Sequence, residues 1–406
     1  MPELVTSISG VAGFSVAGVH AGLKKDGALD LALIVSDSDC VAAGVFTKNR
    51  IKAAPVLVNQ EHLSKYPDQI RAVAVNTVSA NAATGEQGME NSRKMAEIVA
   101  ESIGSKPEQV FVMSTGVIGT QLPIDQIEAG IRDAHTNLGN GWHNAANAIR
   151  TTDQFEKWAS IQVETDTGSY TIAGLTKGAG MIAPNMATML GIIVTDLKIS
   201  PKLAQKALND ASNLSYNRIV VDGDTSTNDM VVLLANGKSD IEIDSQVAFK
   251  QFLDALTQLT TYLAQQVVRD GEGATKFITV NIHGAKNIDD AEKIAHTIAS
   301  SALVKTAFYG NDANWGRIVA AAGRAGVEFD ASQLSLTMNP SINESRCILL
   351  FENGAKADYD ENEATAIISH DEVTITLNLN TGSSKTTVWT CDFTHDYVSI
   401  NADYRT

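Results

Sequence analysis

A Gly-rich turn runs straight into a buried strand at Lys177-Gly178-Ala179-Gly180-Met181-Ile182-Ala183-Pro184-Asn185-Met186-Ala187-Thr188, followed by Met189-Leu190-Gly191-Ile192-Ile193-Val194-Thr195. An unbroken apolar run of that length suits a strand covered on both faces. Thr188 stands at the head of this strand behind the small residue Ala187. Two readings fit that placement. β-Branched residues pack well at strand starts, and Gly-Ala-Gly followed by Pro is an ordinary turn. Alternatively, the hydroxyl attacks the preceding carbonyl, shifts the acyl group from N to O, and water cuts the ester. The new N-terminal Thr188 then carries a nucleophile and its own α-amine as base. Such an amine titrates near ~7.7–8.0.

The 406 residues exceed what one small core requires, so two domains are expected. A soft boundary near 278–285 separates a domain of 1–280 from one of 281–406. In the first, Asp30–Val35, Val41–Phe46, Arg71–Asn76 and Val110–Met113 read as strands. Met95, Ile98, Val99 and Ile103 keep helical spacing up to Gly104. Two strands flank Thr165-Asp166-Thr167-Gly168. Phe249, Phe252, Leu253, Leu256, Leu259, Leu263 and Val267 give one apolar face to a helix over Ser245–Arg269. Helices over 289–303 and 314–323 precede a β-rich tail, in which Val373, Ile375, Leu377 and Leu379 alternate strictly.

The net charge of −16 disfavours nucleic acid and anionic membranes as partners. Cys40, Cys347 and Cys391 are widely spaced, which argues against a disulfide framework or a zinc site. Met1-Pro2-Glu3-Leu4-Val5 has no basic and apolar leader pattern, and no apolar run reaches membrane-spanning length. A cytoplasmic protein is expected. Gly178, Gly180 and Ala183 satisfy G-x-G-x-x-A, but Pro184 and a strand follow where the dinucleotide fingerprint needs a helix. Gly237-Lys238-Ser239 has Val232 where a phosphate loop needs Gly. The eight histidines are scattered, so metal catalysis is not expected, and no G-x-S-x-G elbow occurs.

Four further segments are unusually rich in small polar residues: Ser114–Gly119, Arg150–Asp153, Asp222–Asp229 and Asp270–Lys276. Gly44–Arg50, Gly310–Arg317 and the ending Asn401-Ala402-Asp403-Tyr404-Arg405-Thr406 complete the pattern. With the segment around Thr188, it closely resembles the ornithine acetyltransferases of arginine biosynthesis, also called glutamate N-acetyltransferases, over nearly the whole chain. The resemblance implies self-cleavage between Ala187 and Thr188, giving an α chain of 1–187 and a β chain of 188–406. It implies acetyl transfer from N-acetylornithine to glutamate without cofactor or metal, with acetyl-CoA as a further donor in some members. It also implies a layered α/β/β/α-type sandwich, a smaller α+β C-terminal domain, and an α2β2 or larger assembly.

The resemblance places Thr115 (hydroxyl) and Gly116 (backbone N–H) in an oxyanion hole. It places Thr151 or Thr152, Lys177, Thr188, Glu272, Asn401 and Thr406 against substrate. Lys177 suits an α-carboxylate and Glu272 the ornithine δ-ammonium; a solvated loop lysine and a helix-terminal surface acid are the plainer readings. If Thr151 and Thr152 lay in a strand, only one would point inward. Asp222–Asp229 reads as a cation loop or as a turn tied beneath the site, and Trp315 and Arg317 as structural. One loop departs from the family. Asn76-Thr77-Val78-Ser79-Ala80-Asn81-Ala82-Ala83-Thr84-Gly85 stands where Asn-Ser-Gly-Asn-Ala-Asn-Ala-Cys-Thr-Gly is usual, and Val78 is a poor residue for φ > 0. Two other functions use the same features: a self-cleaving amidase or aminopeptidase that passes the acyl group to water, and a fold that assembles without catalysis.

Overall fold

The computed structural model describes residues 2–183 and 189–403. Ala187, Thr188 and Thr406 lie outside the described residues. The chain divides into two compact units, Met1–Asn217 with Asp224–Val267, and Arg218–Gly223 with Val268–Thr406. The strand Phe277–Ala285, within which the expected boundary falls, belongs to the second unit.

The first unit is a folded-over sheet. Among the described residues its strand order is Leu4–Val5, Lys157–Thr165, Gly168–Lys177, Leu190–Thr195, Met230–Ala235, Leu31–Phe46, Ile70–Asn76 and Val110–Ser114. Leu31–Phe46 joins the halves. Its beginning pairs with Phe14–Val19 and Ile70–Asn76, and its end with Met230–Ala235. Two strands were expected here, interrupted by the polar residues Ser36-Asp37-Ser38-Asp39. The backbone instead stays extended through them, with a register shift between Val35 and Cys40 that turns the strand from one half to the other.

Side-chain alternation sorts the layers. Val73, Val75, Phe111 and Met113 pack with Leu175, Ile192, Val194, Val232 and Leu234 between the halves. The intervening Ala72, Ala74, Val110 and Val112 pack beneath Met95, Ile98 and Val99 of the helix Gly85–Ile103, and Ile127 and Ile131 of Ile124–Thr136. On the opposite face, Gln205 of the helix Pro201–Leu214 bonds both the N–H and the carbonyl of Gly44, at 3.1 and 3.0 Å. Gly174 leaves room for Leu263 of the helix Gln246–Arg269, whose Cδ1 would stand 2.9 Å from a Cβ there. The result is an α/β/β/α sandwich. Leu190–Thr195 lies inside it, antiparallel to Gly168–Lys177, parallel to Met230–Ala235, and wholly buried.

The second unit is α+β. Among the described residues its sheet runs Ala355–Lys356, Ile348–Glu352, Ser335–Pro340, Glu372–Asn378, Phe277–Ala285, Ser384–Cys391 and Ile219–Val220. Ile294, Ile298, Ile318 and Ile367 cover it against Ile278, Val280, Ile375 and Leu377. The helix expected over 289–303 is two, Ile288–Ala299 and Ala302–Tyr309. Ser301 takes an extended conformation (φ −75°, ψ 111°), which separates the two helices. Trp315 stacks on Phe351 with ring centroids 5.3 Å apart, a packing role.

Candidate active site

In the first unit the site begins where the strand Val110–Ser114 stops pairing. Thr115 N–H still bonds the Asn76 carbonyl at 3.0 Å, and Val117 N–H bonds Val78 O at 2.9 Å. Between them Gly116 has φ 133°. A Cβ on Gly116 would lie 2.2 Å from the carbonyl carbon and oxygen of Val78, so only glycine fits. The Gly116 N–H has no hydrogen-bond partner among the described residues. Val78, expected to resist a positive φ, adopts 74°. The Asn76 amide overcomes the resistance, donating to the Thr77 and Ser79 carbonyls at 3.1 Å on either side.

Lys177 ends its strand and donates from Nζ to Thr115 Oγ1 at 3.1 Å. A hydroxyl that accepts from an ammonium turns its own proton outward. Thr115 O–H and Gly116 N–H are thus two neighbouring donors with a cation behind them.

Two buried carboxyls that interact with that lysine are shifted in opposite directions. Asp153 accepts from Lys157 Nζ and Gly178 N–H, each at 2.7 Å, and from Thr151 N–H at 3.0 Å. Burial pushes its carboxyl up, but Lys157, Lys177 and the bonds from Lys157 and Gly178 overcome this and hold it well below the usual range. Asp229 is fully buried, and its Oδ2 has no hydrogen-bond partner among the described residues. Burial pushes this carboxyl well above its ordinary value, with Ser226 and Lys177 only partly offsetting. Paired titratable groups driven apart by environment mark acid/base sites.

Polar side chains brace this frame. Asn228 Nδ2 donates to Ala80 O at 2.5 Å and Ser114 O at 2.8 Å. Thr225 Oγ1 donates to Ala183 O at 2.9 Å. Thr47 and Asn49 bond the Ser226 and Thr225 carbonyls at 2.9 and 3.0 Å, giving the Gly44–Arg50 segment its role. Thr151 and Thr152 lie in a bend ahead of the strand Lys157–Thr165, so strand alternation does not decide between them.

In the second unit, Glu272 sits in the loop after Gln246–Arg269 and is 6% exposed. Its Oε2 accepts from Asn401 Nδ2 at 2.7 Å. Gly273, with φ 68°, admits the start of the helix His395–Ala402 that carries Asn401. A Cβ there would meet Tyr397 N at 2.7 Å. Asp392 fastens the loop by accepting from Thr275 N–H, Lys276 N–H and Thr275 Oγ1 at 2.8, 2.9 and 2.6 Å. A buried carboxylate bonded by one neutral amide keeps acceptor capacity for a cation.

The structure thus joins Thr115, Gly116 and Lys177, and separately Glu272 and Asn401. Asp153, Asn228 and Asp229 lie within segments that the sequence singles out without giving these residues individual roles, and Asp392 lies outside them. Asp153 had a signal, an opposite charge four residues away at Lys157. Among the described residues no group of three or more His, Cys, Asp or Glu could hold a metal ion, and no helix is long and apolar enough to cross a membrane.

Two fixed donors backed by a lysine can stabilise the negative charge that develops on a carbonyl oxygen in acyl transfer. Comparison with known proteins carries this further. The ArgJ family pattern matches residues 15–406. The arginine biosynthesis bifunctional protein ArgJ of Thermotoga neapolitana is 46% identical over 397 residues, covering 97% of this chain and 99% of its own. The protein of that name from Dehalococcoides mccartyi is 45% identical over 407 residues, covering 98% and 97%. Among solved structures, the ornithine acetyltransferase complexed with ornithine from Mycobacterium tuberculosis is 39% identical, with a TM-score of 0.43, and covers 46% of this chain and 100% of that one. The chain belongs to the ArgJ family.

Proposed function

We propose that this protein transfers the acetyl group of N2-acetyl-L-ornithine to L-glutamate in arginine biosynthesis, after self-cleavage between Ala187 and Thr188. The observation that carries the reading is the Lys177–Thr115–Gly116 arrangement in a chain matching ArgJ proteins over their whole length. In the first half-reaction Thr188 Oγ1 attacks the acetyl carbon while the Thr188 α-amine takes the hydroxyl proton. Thr115 O–H and Gly116 N–H hold the oxyanion. One such donor is worth roughly 2.7–4 kcal/mol of barrier. The C–N bond breaks, the ornithine nitrogen takes the proton, and acetyl-Thr188 remains. In the second half-reaction the glutamate amine attacks the ester carbonyl carbon, the Thr188 α-amine takes its proton, and the acyl C–Oγ1 bond breaks as that proton passes to Oγ1, releasing N-acetylglutamate and free Thr188. That is a ping-pong scheme.

Lys177 stabilises the hydroxyl of the hole and meets a substrate carboxylate. By family resemblance Glu272, steered by Asn401, receives the ornithine δ-ammonium, and Thr151, Thr152 and Thr406 contact substrate. No cofactor is needed for these steps. Acetyl-CoA is the second donor to assay, the enzyme works in the cytoplasm, and the native assembly is α2β2 or larger.

Denaturing intact mass of wild type and Thr188→Ala tests the cleavage. Two fragments meeting at Ala187/Thr188 in wild type and one chain in the variant are expected; one chain in both overturns the nucleophile. Incubation with N-acetylornithine tests the transfer. N-acetylglutamate should form only when glutamate is present, whereas acetate release without glutamate would mark a hydrolase.

A further inference from the structure

The most strained side chain beside the proposed oxyanion hole has no part in the scheme above. Val78 is β-branched yet has φ 74°, a conformation that such residues enter only when their surroundings impose it. The Val117 N–H on its carbonyl and the Asn76 amide on the carbonyls either side impose it here. Its side chain is not drawn into a core in return; Val78 stays 39% exposed. Its backbone is pressed against Gly116, where a Cβ would stand 2.7 Å from the Val78 Cα. The Val78 Cβ therefore lies within about 6 Å of the Gly116 Cα. An acyl oxygen bound to the Gly116 N–H at about 2.9 Å brings its carbon chain into the same neighbourhood. Ile118, on the same turn, is also exposed and apolar.

We propose that Val78 determines acyl-chain specificity, its isopropyl group walling the acyl end of the site so that a two-carbon group is transferred in preference to longer ones. The proposal rests on the acetyl-transfer reading above. A methylene that a pocket cannot admit changes selectivity by roughly 10–200-fold. Removing the two methyl groups should open the site to propanoyl and butanoyl chains, and an isosteric side chain should keep it closed.

The test compares N-acetyl- and N-butanoyl-ornithine as donors to glutamate for wild type, Val78→Ala, Val78→Gly and Val78→Thr. The ratio of kcat/KM for butanoyl over acetyl is expected to rise at least tenfold in the Ala and Gly variants, and to stay within about twofold of wild type in the Thr variant. Each ratio is taken on one preparation, so partial misfolding cancels. A rise below tenfold in both the Ala and Gly variants overturns the proposal. Wild type that transfers no acyl group from either donor refutes the acetyl-transfer reading instead, which separates the two failures.

Discussion

Lys177 acts on one carboxyl held below its ordinary value and on another held above it, and the two make opposite predictions. The Asp153–Lys157 pair is wholly buried at 2.7 Å. Asp153→Asn leaves the Lys157 cation without its counter-charge, which should cost about 3–5 kcal/mol in urea or thermal unfolding at pH 7. Asp153 is held below its unfolded value of about 3.9. Its contribution is therefore complete above that pH and fades as pH falls further. Stability should drop more steeply below about pH 4 in wild type than in the Asn variant. Asp229 is held above its unfolded value. Its contribution is present at low pH and lost as pH rises through the raised folded value. Asn is neutral throughout, so Asp229→Asn should be at least as stable as wild type at pH 8. A thermal melt showing the reverse would contradict a raised value for Asp229.

At the scale of elements, the site depends on loops fastened to strand ends. Asn228 supplies donors to two carbonyls on two different segments. Asn228→Ala should lower stability by about 1–3 kcal/mol and slow acetyl transfer, read together as unfolding midpoint and kcat. A variant that melts earlier but keeps wild-type kcat would separate the bracing from the chemistry. Gly116→Ala must move Val78 or fail, so it should lose activity far beyond any loss of stability. Elements with a strong period were legible in the sequence: the alternating Val373–Leu379 strand, the long helix ending at Arg269, and the buried strand after Thr188. Single residues that interrupt or prolong an element were not. Ser36–Asp39 falls between two expected strands, but the flanking pairs carry one extended strand through it, while the extended backbone at Ser301 divides what reads as one helix. Thr115, Gly116 and Lys177 came from the family pattern. Asp229 stayed hidden because its effect comes from burial and a missing partner, which appear only once the chain is folded.

For the whole molecule, the proposed cut falls inside a unit rather than between units. Gly168–Lys177 belongs to the first fragment, Met230–Ala235 to the second, and Leu190–Thr195 is hydrogen-bonded to both. The fragments should co-elute in native gel filtration and separate only in denaturant; separation in native buffer would contradict the central position of that strand. Before the cut, the connection between Lys177 and Leu190 is a short tether that gives the two strands a high effective concentration for each other. The cut abolishes the tether and changes the molecularity of folding. Uncut Thr188→Ala should refold from denaturant with a yield indifferent to dilution. For the processed enzyme, recovery should fall as the solution is diluted, because each fragment must find a partner by diffusion. Maturation on this account leaves the native state intact and makes its loss, at low concentration, a one-way event.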